Sequence, residues 1–558
     1  MTGVLTRLGG LAPRRADFEA MRHTPRRDLV AGVTVGVIAL PLALAFGIAS
    51  GLGAEAGLVT AVVAGTLAAV FGGSNVQVSG PTGAMTVVLV PIVADHGTQG
   101  VLVVGLMAGA LLVVMGFARL GRYVRLIPLP VVEGFTLGIA VIIALQQVPA
   151  ALGVTAQGEK VLLRAADAVI VWLHEPQLAE PVVTAAVVLI VLLVLRYRPS
   201  LPGALIAVTA ATVAVAVGGV PVAELGALPR TIPAPSLPDL GSLELGSLVL
   251  PAVAVAALAA LESLLSATVA DAMSVSERHD PDRELFGQGI ANLVVPLFGG
   301  VPATAAIART AVNVRSGAHS RLAAVTHAVF LLAITLVLAP VVAAIPLAAL
   351  AGVLIATAVR MVEVSSLRAL LRSTRSDALV LVVTFLATVL LDLATAVLIG
   401  IAVAGAAALR EVAATTKVEP MTRGEWAEDH SSEEQALLDD HIVAYRLEGP
   451  LFFAGAHSAL LSLTEVSEIR VVVLRMSHVT ALDATAAAVF SETVRDLEAR
   501  GVAVVVSGLH PRFHPVLARS GVLDRLEAQG RFFERTPDAI AEARALVGDG
   551  PLASAAER

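Results

Sequence analysis

"FGGSNVQVSGPTGA" (71–84) and "FGGVPATAAIART" (298–310) are two versions of one phrase. Each has Phe-Gly-Gly, a short spacer, a proline, then small residues and a threonine opening an apolar run. Proline and glycine at this density normally mark a surface turn. Here both phrases are flanked by sequence that reads as membrane.

The chain has 558 residues, of which 56% are hydrophobic and 15% charged. A soluble domain averages about 25% charged residues, so the composition identifies an integral membrane protein. There is no cysteine, which excludes disulfides and thiolate metal sites. A net charge of −7 gives no reason to expect nucleic acid as a partner. The basic start (Arg7, Arg14, Arg15, Arg22, Arg26, Arg27) lacks the short apolar core and cleavage site of a secretory signal, so the first apolar run is expected to be retained.

A membrane helix needs about 20 mostly apolar residues. Full-length spans are expected at 29–49, 55–71, 98–118, 124–146, 181–198, 203–219, 250–272, 283–298, 320–339, 341–359, 377–393 and 395–411. The two phrases open shorter pieces, 81–94 and 302–316. Counting both as crossings gives fourteen. Arginines then fall on alternate loops (119–125, 196–198, 278–283, 315–321, 360–375), as the positive-inside rule requires. The expected placement is multi-pass in the cell (inner) membrane, with both termini cytoplasmic.

The short pieces are the third and tenth spans, the same position in two groups of seven. Seven is odd, so the second group is inverted relative to the first. Interrupted segments at matching positions of inverted repeats point to a transporter's binding site. Irregular backbone at membrane depth is tolerated only where protein buries it or it lines a cavity. With a proline at each first helical position, two helix starts face each other, each equivalent to about +0.5 charge. Together they make an anion site. Gly83, Ala84, Ala303, Ala305 and Ala306 leave room for a ligand, and Thr82 and Thr304 offer hydroxyls.

A charge at membrane centre costs at least about 2.5–3.5 kcal/mol and needs a reason. Glu262 lies well inside the eighth span, with Ser266 one turn on along the same face. That pair suits a proton or a sodium ion. Arg309 is expected about two turns into the tenth span, within reach of an anion or of Glu262. If Glu262 and Arg309 cancel, the helix starts favour about one negative charge. Neutralising Glu262 admits a second, which makes anion uptake proton- or sodium-coupled. His327 reads as a packed contact and Asp392 as a helix end. There is no metal spacing, GxSxG, Walker lysine or paired catalytic carboxylates, so neither an enzyme nor a cofactor is expected.

Composition changes near 411. The expected organisation is a cytoplasmic N-terminal segment at 1–28, the membrane domain at 29–411, a charged linker at 412–438, a soluble domain at 439–546 and a tail at 547–558. In the soluble domain strands and helices alternate, predicting a mixed or parallel sheet faced by helices. Asp483 stands at a helix start after a strand, in a capping position.

Four stretches, "AGVTVGVIALPLALAFGIASG" (31–51), "FGGSNVQVSGPTGA" (71–84), "LESLLSATVADAM" (261–273) and "GGVPATAAIARTAVNVRSG" (299–317), resemble the SulP family of anion transporters (sulfate permeases, solute carrier family 26). The soluble part is similar to the STAS domain of anti-sigma-factor antagonists. The resemblance implies a uracil-transporter-like fold of fourteen helices in a 7+7 inverted repeat, a core domain moving against a scaffold, and a homodimer. It implies an anion held at Thr82, Gly83, Ala84, Ala303, Thr304, Ala305 and Ala306, with Leu42 and Phe46 contributed by the first helix and Arg309 nearby. Glu262 and Ser266 stand where bicarbonate-transporting relatives hold sodium with aspartate and threonine, so sodium is a possible ligand of Glu262, Ser266 and Thr304. In the STAS part Ala484 replaces the phosphorylated serine, which removes that switch. The implied substrate is sulfate, bicarbonate or a dicarboxylate. Two other readings stand beside it: a membrane-anchored regulator signalling through its STAS domain, and a nucleobase permease of the same architecture.

Overall fold

The computed structural model describes residues 11–548 apart from 159, 199–200, 227–230, 240–243, 275–277, 392, 415–416, 421–440 and 452–468. The chain divides into two compact units, Met1–Ala402 and Val403–Arg558.

In the first unit a short helix α1 (Arg15–Glu19) precedes two runs of membrane helices. The first run is α2 (Pro25–Ala49), α3 (Ala54–Phe71), the two-residue strand β1 (Ser79–Gly80), α4 (Gly83–Phe117), α5 (Leu129–Gln146), α6 (Val148–Leu152), α7 (Val161–His174), α8 (Ala179–Tyr197) and α9 (Gly203–Gly218). The second is α10 (Leu245–Met273), α11 (Pro281–Val294), β2 (Thr304–Ala305), α12 (Ile307–Arg315), α13 (Arg321–Ala343), α14 (Leu347–Met361), α15 (Val364–Ser373), α16 (Arg375–Leu390) and α17 (Leu393–Ala414). Gly97, at φ 65° and ψ −172°, breaks α4 into the third and fourth spans. With that break the two runs supply seven spans each. Eight of the described helices are long and apolar enough to cross a bilayer taken singly. The half-length pieces are recognised by their place in the repeat, not by hydropathy.

Helices α2, α3, α4, α10, α11, α12 and α13 pack on one another, and α5, α8, α14 and α16 form a second group. Small residues let backbones approach within each group. A Cβ at Gly109 of α4 would lie 2.6 Å from the Leu293 amide of α11. One at Gly138 of α5 would lie 2.5 Å from Thr388 Cβ of α16.

Neither proline of the repeated phrase takes the expected first helical position. Pro81 precedes the cap residue Thr82, and Pro302 lies five residues before Ile307 opens α12. The reason is that the segments before both helices are extended. They pair as antiparallel strands, Ser79 opposite Ala305 and Gly80 opposite Thr304, which delays the helical start.

The second unit is a five-stranded sheet ordered β3 (Lys417–Pro420), β4 (Ile442–Leu451), β5 (Val471–Leu482), β6 (Ala503–Ser507), β7 (Phe532–Phe533). Only the β3–β4 pair is antiparallel. Both sheet faces are covered. Leu447, Val472 and Leu474 pack in one apolar cluster, Ile442, Val471 and Val473 in another. Helices α18 (Ala484–Ala499), α19 (His514–Arg519), α20 (Val522–Ala528) and α21 (Thr536–Gly548) complete it. Asp483 caps α18, accepting from the Ala486 amide at 2.7 Å. Four residues of the linker expected at 412–438, 417–420, are strand β3, because backbone pairing with β4 needs no apolar pattern. The helix expected at 456–468 and Asp392 lie outside the described residues.

Candidate functional site

The first half-helix opens in a closed place. Thr82 caps α4 by accepting from the Met85 amide at 3.4 Å, and its hydroxyl donates to Glu262 Oε2 at 2.8 Å. The amides of Gly83 and Ala84 sit in the first turn, where no carbonyl of the helix can reach them. A Cβ at Gly83 would lie 2.5 Å from Ile143 Cδ1 and 3.1 Å from Phe46 Cε1. Phe46 of α2 and Ile143 of α5 therefore roof the start. Thr82, Gly83, Ala84 and Phe46 are all buried.

The second half-helix opens differently. The Ala303 amide donates to Asn292 Oδ1 at 2.7 Å, the Ala305 amide to Ser263 Oγ at 3.3 Å and the Ala306 amide to the Val78 carbonyl at 3.0 Å. The sequence expectation opened this helix at Pro302; the structure moves the start to Ile307, so the first-turn amides belong to Ile307 and Ala308. Both residues are exposed, Ile307 by 42%. Thr304 is fully buried in β2, its hydroxyl 3.0 Å from Ser263 Oγ and donating to the Ala259 carbonyl at 3.3 Å.

Arg309 lies in the first turn of α12, not two turns in, because the helix begins five residues later than the proline suggested. Its buried guanidinium crosses to the other phrase, where NH2 donates to the Pro81 carbonyl at 2.8 Å. Gly80 makes room for it with φ +154°, and a Cβ there would meet NH1 at 2.8 Å. Among the described residues Nη1 itself has no hydrogen-bond partner. Ser266 does not bond Glu262. It donates to the Thr310 hydroxyl at 3.0 Å, which also takes the Val78 amide at 3.1 Å, so Ser266 braces the strand pair. Glu262, Ser266 and Thr304 are thus bonded to three different partners. Among the described residues no three His, Cys, Asp or Glu side chains cluster as metal ligands.

Sequence reasoning missed Ile143, which carries no signal beyond its hydrophobicity. It named Asn292 as a residue that bonds between helices, but passed over Glu284 and Gln288, which precede it at four-residue spacing on α11. That polar stripe on a membrane helix was visible. Glu284 Oε2 takes the Gly73 amide at 2.9 Å, Gln288 Nε2 donates to Glu284 Oε1 at 3.0 Å and to Ser79 Oγ, and Asn292 clamps Ala303. The stripe holds both phrases in place. His327 is buried on α13, and among the described residues neither ring nitrogen is bonded. A cavity of about 280 Å³ lies between α10 and the start of α5, lined by Leu261, Leu265, Thr268, Leu129 and Val132.

Residues 26–384 match the model of the sulfate permease family, and 435–539 that of the STAS domain. The putative sulfate transporter YvdB of Bacillus subtilis is 37% identical over 522 residues, 91% of this chain and 96% of its own. The bicarbonate transporter BicA of a Picosynechococcus is 31% identical over 77% of this chain and 79% of its own. Among solved structures, the transmembrane domain of a cyanobacterial BicA aligns at 34% identity and TM-score 0.63, covering 67% of this chain and 98% of that one. The inward-facing murine anion transporter Slc26a9 aligns at 17% identity and TM-score 0.81 over 96% and 94%, which speaks to the fold alone.

Proposed function

The chain belongs to the sulfate permease family, and on that premise we propose that it is a secondary active transporter of a small oxyanion, coupled to a proton or sodium ion through Glu262. The substrate class is sulfate, bicarbonate or a dicarboxylate. One observation carries the reading: the Thr82 hydroxyl that caps the first half-helix donates to the Glu262 carboxylate at 2.8 Å. Anion site and coupling group therefore share one hydrogen bond.

The physical sequence is short. While Glu262 is ionised it holds the Thr82 proton and places a negative charge beside the helix start, which opposes an incoming anion. Protonation, or a sodium ion on the carboxylate, cancels that charge and frees the hydroxyl to turn toward substrate. The first-turn amides of Gly83 and Ala84 on one side, and of Ile307 and Ala308 on the other, then face the anion as donors. Arg309 supplies fixed positive charge from behind the site. Phe46 and Ile143 come from the two helix groups, so their parting or closing gates access. Thr304, Ala303, Ala305 and Ala306 act as the frame of the second start and Ser266 as its brace. In this reading the protein is a homodimer in the cell membrane with both termini cytoplasmic, and the STAS domain regulates or assembles it.

Uptake of labelled anion into proteoliposomes, with and without imposed pH and sodium gradients, tests this. The expected result is gradient-driven uptake that Glu262→Gln uncouples from the gradient. Unchanged, gradient-dependent uptake in Glu262→Gln removes Glu262 from the mechanism. Deleting 440–558 separates transport from signalling: uptake by the membrane domain alone supports the transporter reading.

A further inference from the structure

Helices α7 and α15 occupy equivalent places in the two repeats. The first follows the fifth span and the second the twelfth. Their charges differ. Helix α7 carries Arg164 and Asp167, which offset one another, while α15 ("VSSLRALLRS") carries Arg368 and Arg372 and no acid.

The faces of α15 follow in order around its axis, at 100° per residue. Leu367 and Leu370 are half-buried, and Ser366 Oγ donates to Glu133 Oε1 of α5 at 2.7 Å, which fixes that side against the protein. Next come Val364 and Leu371, exposed by 49% and 47%. Beyond them stand Arg368 and Arg372, both exposed. A helix with an apolar stripe beside a basic one, its third side pinned to a membrane domain, fits the plane of the bilayer interface. Two more exposed arginines flank it in the chain, Arg360 at the end of α14 and Arg375 at the start of α16, and Arg315 at the end of α12 is exposed as well. Arg315 and Arg360 lie close enough to feel each other's charge. Among the described residues none of the five forms an ion pair. The acids nearby are Glu133, which takes the Ser366 hydroxyl, Glu363, exposed at the start of α15, and Asp377, which takes the Ser373 hydroxyl. Four arginines between 360 and 377 thus outnumber two acids.

We propose that α15 and the arginines around it bind the headgroups of anionic phospholipids, with Val364 and Leu371 against the acyl chains and the guanidiniums on the phosphates. Guanidinium forks suit phosphate oxygens bidentately, and arginines that outnumber the acids beside them and form no ion pair among the described residues call for an anion. The inference uses only the embedding of the first unit in a bilayer, not the identity of the transported ion.

The test is lipid binding by the purified full-length protein in mixed phosphatidylcholine and phosphatidylglycerol, read by native mass spectrometry and independent of transport. Phosphatidylglycerol is expected to be retained preferentially. Arg368→Gln with Arg372→Gln should weaken its retention roughly 30-fold, from the contribution of each basic residue at an anionic surface. The lysine double variant should keep most of it, and Arg164→Gln on α7 should change nothing. Equal retention by the glutamine variant, equal loss in Arg164→Gln, or displacement of the lipid by inorganic phosphate would each overturn the proposal. If the glutamine double variant does not fold, Arg375→Gln with Arg360→Gln puts the same question to the flanks.

Discussion

At Gly83 the first half-helix opens beneath Phe46 and Ile143, with its hydroxyl cap tied to Glu262; at Ile307 the second opens exposed, without a side-chain cap and with Arg309 in its first turn. The topology of the two starts is symmetric and their chemistry is not. Each lends the other what it lacks. The arginine of the second half holds the Pro81 carbonyl just before the first start, and Asn292 and Ser263, from the two helices that precede the second start, take up the amides of Ala303 and Ala305. An inverted repeat built from identical halves would place two arginines, or none, at the membrane centre. Dividing the roles leaves one acid, Glu262 on the Thr82 cap, and one base, Arg309 on the Pro81 carbonyl.

The sharpest way to break this comparison is to remove the crossing arginine. Arg309→Gln strips the second start of its charge and leaves the Pro81 carbonyl buried without its donor. A buried acceptor left without its donor costs about 1–3 kcal/mol, so initial uptake in proteoliposomes should fall by roughly 10- to 100-fold. Arg309→Lys keeps the charge but loses the planar fork and should fall between. Activity of Arg309→Gln within about twofold of the unchanged protein would mean that the two starts work independently.

A second test compares added bulk. Gly83→Ala puts a methyl group against Ile143 and Phe46, and overpacking of about 1–3 kcal/mol should lower uptake about tenfold. Ile143→Ala should restore part of it, since the clash is with the far end of that side chain. Two methyl groups added at the other start, as Ala308→Val, fall at an exposed position, where a change of this kind stays within about twofold. Equal losses at both positions would show both starts to be equally enclosed.

The repeat itself was legible because proline, glycine and small residues recur at one spacing and seven is odd. The chemistry at each start was less so. Sequence places Thr82 and Arg309 near the site, but the helix boundary after Pro302 depends on strand pairing between residues 79–80 and 304–305, more than 220 positions apart. That pairing consumes amides which local reasoning leaves free. Ser266 illustrates the same limit. Its spacing from Glu262 puts both on one helical face, yet the hydroxyl finds Thr310 on another helix. The linker reading missed β3 because an edge strand can be held by its backbone alone.

The shared hydroxyl gives a smaller effect. Thr82→Val removes an N-cap, typically about 1 kcal/mol, and with it the donor to Glu262. Uptake should drop about fivefold, and its dependence on the imposed gradient should change. Thr304→Val, at the matching place in the other phrase, removes a hydroxyl bonded to Ser263 and the Ala259 carbonyl, so it should slow transport without altering that dependence. An identical gradient response in the two variants would detach Thr82 from coupling.

The smallest effect belongs to the approach of the first start. Arg321 donates to the carbonyls of Ala69 and Val70 and to Asn75, fixing the chain that leads to β1, and it faces Asp17 of α1 at 3.7 Å. Asp17 also pairs with Arg283 at 2.6 Å. Burial by itself would raise the Asp17 carboxyl, but the hydrogen bonds from Arg283 and the Arg14 amide and the charges of Arg321 and Arg283 together hold it below its usual value of 3.8. A carboxyl depressed in the folded state stabilises it at pH above the unfolded value, and that contribution is lost as pH falls through the folded value. The Asp17 side chain is only 12% exposed, at the edge of the protein, and Asp17→Asn should lower stability by about 1 kcal/mol at neutral pH. The difference between the two proteins in thermal unfolding should close only below about pH 4. A gap that closes near neutrality would assign the pH dependence to another group and leave Arg321 to hold the 69–75 chain without help from α1.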